Sequence, residues 1–213
     1  MGYFSYAEML VAREECFKRF GSIFSIPVHS GNKHNILLNY LSRESQGNML
    51  DFGAGPQRLK PFISAHFPSL AYRSLDSDAA YGCDYTSVEE IPENTLFSLV
   101  CADQVLEHIP VEGTLGIFDN LKKKLAPGCL FYATVPNISH PTRFFSNIEH
   151  CTYVSYFDLY YFCRFAGLEP LAIFRYSKRH PKGWFERFIA KKIQDIYRMD
   201  WADSIAIIAR KQL

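Results

Sequence analysis

The most informative part of this chain is residues Asn48 to Gln57, with the sequence NMLDFGAGPQ. Its apolar beginning is typical of a buried strand, and its glycines predict a tight turn at the end of that strand. Gly53 and Gly55 lack a Cβ atom, so the backbone can turn sharply and lie directly under a ligand. Asp51 places a carboxylate at the end of the strand. The stretch therefore predicts a strand, a ligand-binding turn and a following helix.

Phosphate-bearing dinucleotides are one class of ligand that binds to such a turn. Their turn has the form Gly-x-Gly-x-x-Gly, which lets a pyrophosphate approach the N-terminus of the next helix. In this chain Arg58 stands at the third glycine position, and Asp51 would face a phosphate with like charge. The turn therefore disfavours a nicotinamide oxidoreductase and favours a ligand that carries positive charge.

Two motifs connect the chain to a known family. Leu-Asp-x-Gly-x-Gly at residues 50–55 resembles the first motif of class I S-adenosylmethionine (SAM)-dependent methyltransferases, whose ligand carries an ammonium and a sulfonium. The stretch DQVLEHIP at residues 103–110 closely resembles the Leu-Glu-His segment of small-molecule methyltransferases of types 11 and 23, which include the ubiquinone-pathway enzymes. The resemblance covers about residues 48–176. The chain departs from the family at Pro56-Gln57, where the last family glycine is missing.

The resemblance implies SAM as the cofactor and a set of residues that bind it. Asp76 lies 21 residues after Gly55 (76 − 55), where a ribose-binding carboxylate is expected. An acid at Asp84 is implied to accept a hydrogen bond from the adenine amino group, and Asp103 and Gln104 are implied to border the methionine part. Each acid alone is more often a loop cap, but their order and spacing favour binding. The implied cofactor-binding residues are Asp51, Gly53, Ala54, Gly55, Asp76, Ser77, Asp84, Tyr85, Asp103 and Gln104.

Two histidines are the candidate catalytic residues. His108 follows the fourth predicted strand, and His150 ends the loop 138–152, which is rich in aromatic and polar groups. A neutral histidine, with an ordinary pKa of about 6.5, can accept the proton of an acceptor hydroxyl near neutral pH. A structural role is the alternative for His108, since Glu107 or His108 can hydrogen-bond the backbone before Pro110. The N-terminal residues His29, Asn32, Lys33 and His34 are further candidates to reach the methionine carboxylate of the cofactor or the acceptor. The alternative is that they are solvated loop residues before a helix.

Composition narrows the function classes. Because 48% of the 213 residues are hydrophobic, we expect a sizeable core. The 23 basic residues are balanced by 22 acidic residues, so we expect no general attraction for nucleic acid. Six scattered cysteines without a Cys-x-x-Cys pair indicate reduced thiols, and we expect no metal site. Charged residues early in the chain and the lack of a long apolar run predict a cytoplasmic protein without a transmembrane segment.

The predicted fold class is a doubly wound, Rossmann-like α/β sandwich. Its sheet has about seven strands, mostly parallel, with helices on both faces and an antiparallel last strand that pairs with the sixth. Residues 1–213 form a single methyltransferase domain in this interpretation. It divides into an N-terminal helical cap (1–47), a cofactor-binding core (48–176), a basic amphipathic insertion (177–200) and the last strand (201–213).

Several element boundaries follow from periodicity and end signals. Helices are predicted at Tyr6 to Phe20 and Lys33 to Leu41, and Ser155-x-x-Asp158 predicts a capping box at the start of another helix. The sixth strand is predicted at Leu168 to Tyr176. The loop Gly82 to Tyr85 is placed at the third strand.

The insertion allows more than one function. Residues 175–192 contain seven basic residues and one acidic residue, a net charge of +6, interleaved with an apolar stripe. Such a segment can bind a phosphate-bearing or lipid-linked acceptor, lie on an anionic membrane, or pack on the sheet or on a second subunit. The main expectation is methyl transfer to an oxygen or nitrogen of a small polar or sugar-type acceptor, with no nucleic acid as partner. The alternative is a non-catalytic SAM-fold protein that binds a partner or an anionic surface through residues 175–198, and a homo-oligomer is compatible with either.

Overall fold

A computed structural model describes residues 5–178 and 183–212 of the chain. Its centre is a sheet of seven hydrogen-bonded strands among these residues. The strands are β1 (Val28–His29), β2 (Gly47–Phe52), β3 (Leu70–Leu75), β4 (Phe97–Asp103), β5 (Leu125–Pro136), β6 (Leu168–Tyr176) and β7 (Ser204–Lys211).

The sheet has the topology that the sequence predicts. Its strands lie in the order β1-β6-β7-β5-β4-β2-β3. β7 is antiparallel to both of its neighbours, β5 and β6, and the other paired strands are parallel. The predicted antiparallel last strand, paired with the sixth, is confirmed. The carboxyl ends of β2, β3, β4 and β5 therefore meet at one edge of the sheet, which is where ligands bind in such folds.

Helices cover both faces of the sheet. The first face carries α1 (Tyr6–Phe20), α3 (Val111–Leu121) and α4 (Tyr156–Phe165), whose apolar side chains form one buried cluster with the sheet. The second face carries α2 (Lys60–His66) and a 3₁₀ helix (Lys33–Asn39), which contribute to a second buried cluster. The doubly wound arrangement is therefore confirmed.

One strand differs from the prediction. The region Gly82 to Tyr85 forms only an isolated bridge, in which Tyr85 pairs with Leu75 beyond the end of β3. Small, polar and glycine residues dominate the stretch before this bridge, and they give a strand little apolar surface to bury. The seventh strand is instead β1, which pairs in parallel with β6 at the opposite edge. Two residues are too few to show a strand period in the sequence.

The capping box predicted at the start of α4 is confirmed. The side chain of Ser155 accepts a hydrogen bond from the backbone of Asp158, and the side chain of Asp158 accepts one from the backbone of Ser155. Gly167 follows the helix with φ of +71°, a left-handed conformation that glycine adopts without steric cost. Chain reversal at this glycine leads directly into β6, with the predicted bounds.

A buried ion pair connects four distant parts of the chain. Arg175 on β6 donates to Asp200 over 2.7 Å and to the backbone oxygen of Ile26 over 2.9 Å. Asn137, fully buried after β5, donates to the other carboxylate oxygen of Asp200 over 2.6 Å. Arg175 therefore belongs to the core, and its charge is not part of a basic surface.

The insertion forms a helix whose apolar side faces solvent. This helix, α5 (Trp184–Tyr197), exposes 81% of Trp184, 52% of Phe188 and 68% of Ile196. Its opposite side faces the protein, where the indole nitrogen of Trp201 donates to the backbone oxygen of Ala190 over 3.4 Å. Within one chain the apolar stripe does not pack on the sheet, contrary to one expectation from the sequence.

Two basic residues of that segment, Arg179 and Lys182, lie outside the described residues. Among the residues that the structure describes, no helix is both long and apolar enough to cross a membrane.

Candidate active site

Two neighbouring cavities open at the carboxyl edge of the parallel strands. The first, the glycine-turn cavity, has a volume of about 830 Å³ and lies beside the turn after β2. The second, the histidine cavity, has a volume of about 590 Å³ and lies beside the N-terminal 3₁₀ helix and the loop after β5. Gln104 and His108 line both cavities.

The turn after β2 has the geometry that its glycines predict. Gly53 and Gly55 have φ of +71° and +47°, and the backbone N–H of Gly53 donates to the carbonyl of Leu75 at the end of β3. The N–H of Gly55 donates to the carboxylate of Asp76 over 2.8 Å. These bonds join the ends of two neighbouring strands and hold Asp76 in the lining of the cavity.

Asp51 supports the turn from below. Its side chain is buried and accepts a hydrogen bond from the hydroxyl of Tyr72 on β3. Burial raises the pKa of Asp51 to about 6, although the hydrogen bond from Tyr72 opposes that rise. Asp51 does not line either cavity, so its carboxylate acts on the site through the turn above it.

The predicted cofactor-binding residues divide into two groups. Gly53, Gly55, Asp76, Ser77 and Gln104 line the glycine-turn cavity. The residues outside its lining are Asp51, Ala54, Asp84, Tyr85 and Asp103.

Asp84 and Tyr85 are engaged elsewhere in the structure. The carboxylate of Asp84 accepts hydrogen bonds from the backbone N–H and the hydroxyl of Ser74, over 2.8 and 2.9 Å. Tyr85 packs against the apolar core. The structure does not place Asp84 at the cavity, and its contacts are those of a loop-capping residue.

Sequence reasoning missed the far wall of this cavity. Thr86, Ser87 and Val88 line it after the bridge at Tyr85, and Ile109 and Ile117 contribute apolar surface from the other side. A short stretch of polar residues before a single 3₁₀ turn gives no distinctive sequence pattern. Thr86, Ser87 and Val88 reach the cavity because the bridge at Tyr85 directs the loop back toward the glycine turn, and this contact cannot be predicted from the sequence.

Asp103 lies at the end of β4 in a network of charges. It accepts hydrogen bonds from the imidazole of His34, over 2.8 Å, and from Thr134, and it pairs with the ammonium of Lys33. Burial alone would raise its pKa, but the hydrogen bond from His34 and the charge of Lys33 hold the pKa of Asp103 well below its ordinary value. Asp103 is therefore ionised near neutral pH and fixes the N-terminal segment against β4.

Three of the four N-terminal candidates reach the histidine cavity. Asn32, Lys33 and His34 line it, and the side chain of Asn32 caps the 3₁₀ helix by accepting from the N–H of His34. His29 lies on β1 instead, where its ring meets that of Phe174 edge to face with centroids 5.0 Å apart. His29 therefore belongs to the sheet edge.

Gln104 is held at the boundary between the two cavities. Its backbone has φ of +60°, a left-handed conformation that costs a non-glycine residue roughly 1 to 3 kcal/mol. Two hydrogen bonds from Gln104 to Thr134 hold it there, one from the backbone N–H over 3.0 Å and one from the side-chain amide over 3.1 Å. Strained positions of this kind concentrate at functional sites.

The two candidate catalytic histidines lie next to each other. The rings of His108 and His150 have centroids 4.9 Å apart and meet edge to face. The backbone N–H groups of Cys151 and Thr152 both donate to the carbonyl of Glu107, over 2.9 and 3.1 Å. These bonds attach the loop after β5 to the Leu-Glu-His segment, so that both histidines line the histidine cavity.

The orientation of His150 follows from one contact. Its Nδ1 atom lies 2.7 Å from the carbonyl oxygen of Phe144, which can only accept a hydrogen bond. Nδ1 therefore carries the proton, and in the neutral ring Nε2 carries a lone pair. Nε2 is the atom of His150 that can accept a proton or bind an ion.

Glu107 is a third functional group beside these histidines. Its side chain is 1% exposed and lines the histidine cavity. Within the described residues neither carboxylate oxygen has a hydrogen-bond partner. Burial raises the pKa of Glu107 to about 8, and its own backbone N–H and Lys33, which lie nearby without hydrogen-bond geometry, offset only part of that rise. Sequence reasoning gave Glu107 only a backbone-bonding role and missed this environment.

Comparison of the fold with solved structures finds methyltransferases. A SAM-dependent methyltransferase from Archaeoglobus fulgidus superposes with a TM-score of 0.66 over 97% of this chain and 100% of its own, at 14% sequence identity. Phosphoethanolamine N-methyltransferase 2 from Haemonchus contortus, in complex with SAM, gives a TM-score of 0.59 over 96% of this chain and 57% of its own, at 14% identity.

This chain has the class I SAM-dependent methyltransferase fold. The same fold also contains the [4+2]-cyclase SpnF, with a TM-score of 0.56 over 84% of this chain and 80% of its own, at 15% identity. No family model matches the sequence, and no curated protein matches it either. For a protein with the methyltransferase fold, the chemistry must therefore be argued from the site.

Proposed function

We propose that this protein is a SAM-dependent methyltransferase that acts on an oxygen or nitrogen of a small polar or sugar-type acceptor. The observation that carries the proposal is the meeting of two cavities at Gln104 and His108. Transfer of a group between two bound molecules requires two adjoining sites with a shared boundary. The cavity beside the glycine turn suits the methyl donor, and the cavity beside the histidines suits the methyl acceptor.

The glycine-turn cavity is the proposed SAM site. Asp76 is positioned to accept hydrogen bonds from ribose hydroxyls, because its carboxylate lies in the cavity lining beside the turn. The apolar side chains of Val88, Ile109 and Ile117 suit an adenine ring. The three-glycine phosphate cradle is missing from the turn, which supports a ligand without a pyrophosphate.

The histidine cavity is the proposed acceptor site. Its lining combines cationic, anionic, amide and hydroxyl groups, including Lys33, Arg143, Asn147 and Ser204. A cavity of about 590 Å³ with so many directional groups suits a small molecule that carries several polar substituents. The phosphoethanolamine methyltransferase is named for a small polar acceptor, which agrees with this class.

The residues around the boundary perform the chemistry in this proposal. SAM, when bound, supplies a methyl group that is already activated by the sulfonium. Gln104 and His108 fix the direction in which the acceptor atom approaches, and positioning of this kind supplies most of the catalysis. The Nε2 atom of His150 accepts the proton of an acceptor hydroxyl, while the carbonyl of Phe144 stabilises the protonated ring through Nδ1.

Two measurements test the proposal. Calorimetry should show binding of SAM and S-adenosylhomocysteine and no binding of NAD. Incubation with labelled SAM and a panel of amino alcohols, polyols and sugars should then give a labelled low-molecular-weight product. His150→Ala should lower the rate by about 10² to 10⁴-fold for a hydroxyl acceptor. His66→Ala is the control, since His66 is exposed on α2 and lines neither cavity.

Tight NAD binding without SAM binding would contradict the proposal. SAM binding without any product in the presence of many acceptors would instead favour a non-catalytic protein of the same fold.

A further inference from the structure

Three side chains in the histidine cavity present ligand atoms to one point. Glu107, His108 and His150 each offer one such atom, and these atoms all lie within 4.8 Å of one another. Glu107 and His108 belong to one 3₁₀ turn, and His150 comes from the loop after β5. The backbone bonds from Cys151 and Thr152 to Glu107 hold the two segments together.

The carboxylate of Glu107 lacks a partner at this point. Its oxygens are buried and make no hydrogen bond within the described residues, although a buried carboxylate is costly unless it is paired. The ammonium of Lys33 does not fill this role, since it is paired with Asp103. A cation between Glu107 and the two histidines would satisfy the carboxylate directly.

His150 has the orientation of a metal ligand. Its Nδ1–H donates to the carbonyl of Phe144, which leaves the Nε2 lone pair for coordination. Metal-binding histidines almost always donate their other ring N–H to a carbonyl or a carboxylate in this way, because the bond fixes the ring and makes the ligand nitrogen more basic.

We propose that Glu107, His108 and His150 bind a divalent transition-metal ion of the zinc type. Two imidazoles and one carboxylate are a donor set that such ions take in proteins, with at least one coordination position left open. All three residues line the histidine cavity, so the open position faces the space proposed for the acceptor. This site is a departure from the expectation of no metal that the scattered cysteines support.

The existence of the metal site does not rest on the proposed methyl transfer, but its role does. An ion at this point binds the acceptor oxygen and lowers the pKa of its hydroxyl, which is the usual effect of a divalent cation on a bound hydroxyl group. The acceptor proton then passes to a water molecule in the open cavity, and His150 acts as a ligand instead of a base. Chelator sensitivity of the transfer separates these two roles of His150.

The direct test is titration of chelator-treated, full-length protein with Zn²⁺ by calorimetry and with Co²⁺ by absorption spectroscopy. We expect one ion per chain and a Co²⁺ spectrum typical of nitrogen and oxygen ligands, without the charge-transfer bands of a thiolate. Glu107→Gln, His108→Ala and His150→Ala should each weaken binding by about tenfold or more. His66→Ala and Cys151→Ser should leave it unchanged.

Cys151 is an informative control because it is exposed and adjacent to His150. Binding that disappears in Cys151→Ser but survives in Glu107→Gln would overturn the proposal, as would the absence of stoichiometric binding. Glu107→Gln keeps the size of the side chain and places no charge in the buried site, so this variant should fold about as well as the wild type. A loss of metal binding in that folded variant, with SAM binding intact, is attributable to the site itself and leaves the proposed cofactor cavity untouched.

Discussion

Val105 occupies the space that a Cβ atom on Gly53 would need. An ideal Cβ built on Gly53 lies 2.3 Å from Cγ2 of Val105, far inside van der Waals contact, and Gly53 also has φ of +71°. The glycine is thus required twice, once by its backbone conformation and once by the close approach of the segment after β4. The glycine turn and the Leu-Glu-His segment are in direct steric contact at this point.

Gly53→Ala should therefore lower the free energy of unfolding by about 2 to 4 kcal/mol, the combined cost of a left-handed alanine and an overpacked contact. Adding Val105→Ala should restore the steric part. Gly116→Ala is the matched control, because Gly116 is helical and, outside its own helix backbone, no described residue has an atom within 4 Å of its added Cβ. Urea denaturation of the four proteins measures these differences, and equal effects of Gly53→Ala and Gly116→Ala would refute the steric argument.

Asp76→Asn should weaken SAM binding by about 1 to 3 kcal/mol, because it removes a charged acceptor from buried ligand hydroxyls. Asparagine keeps one oxygen to accept from the N–H of Gly55, which alanine would not. Asp84→Asn is the control, since Asp84 bonds to Ser74 outside the cavity and should not affect the ligand. Calorimetry measures the dissociation constant of SAM for each variant. A larger loss of SAM affinity in Asp84→Asn than in Asp76→Asn would indicate that Asp84 binds the adenine group.

Asp51 gives a pH-dependent prediction. Its pKa is raised from an ordinary 3.8 to about 6, so the folded state favours the protonated form. The stability that this form contributes is complete below pH 4 and is lost as the pH rises through 6, up to about 3 kcal/mol. Asp51→Asn lacks this loss and should gain stability relative to the wild type between pH 4 and pH 7. Urea denaturation at the two pH values checks this, and a constant difference would contradict it.

The buried pair of Arg175 and Asp200 predicts a large effect of a single change. Arg175→Met leaves the Asp200 carboxylate buried without its cation, which should cost about 3 to 5 kcal/mol of unfolding free energy. Asp200→Asn in the same chain should recover part of this cost, because it removes the uncompensated charge. Arg164→Met is the exposed control, and its pair with Glu169 should contribute less than about 1 kcal/mol. Equal losses for Arg164→Met and Arg175→Met would exclude the burial argument.

Substitutions on the exposed side of α5 should have little effect on the stability of the protein. Because Trp184, Phe188 and Ile196 are exposed, replacing all three with serine should change the free energy of unfolding by less than about 1 kcal/mol. Self-association at high protein concentration should decrease in the same variant, and light scattering measures it. Ile207→Ser, in the fully buried centre of β7, is the contrasting control and should destabilise strongly. A large loss of stability in the triple variant would show that α5 packs through these side chains.

Much of the fold could be predicted because local signals agree with the global arrangement. The bounds of α1 and β6 follow from apolar periodicity and from the glycines at 21 and 167, and the glycine turn follows from Gly53 and Gly55. β1 could not be predicted, since two residues carry no period. The side of α5 that faces solvent could not be predicted either. An amphipathic pattern shows which side chains cluster, but it does not show which side of the helix faces the protein.

The site was predictable only in part, for a similar reason. Asp76 and Gln104 follow strand ends, and strand ends meet at one edge in any parallel sheet. The environment of Glu107 depends on the loop after β5 folding back to donate two backbone hydrogen bonds to its carbonyl. The neighbouring sequence contains no trace of that contact, since it joins segments far apart in the chain.

The pairing of Tyr176 with Ser204 has a consequence for how this protein can be redesigned. These residues lie opposite each other at the ends of two adjacent antiparallel strands, so the whole segment between them leaves and returns at one place. Closing a longer segment there costs only about 0.6 kcal/mol for each doubling of its length. We expect the register of the sheet to survive an exchange that keeps Asp200 and Asp203, because Asp200 pairs with Arg175 and the N–H of Asp203 donates to the carbonyl of Tyr176. A foreign helix or recognition module exchanged at this position would stand beside the histidine cavity, making the segment a natural graft point for changing what the enzyme selects.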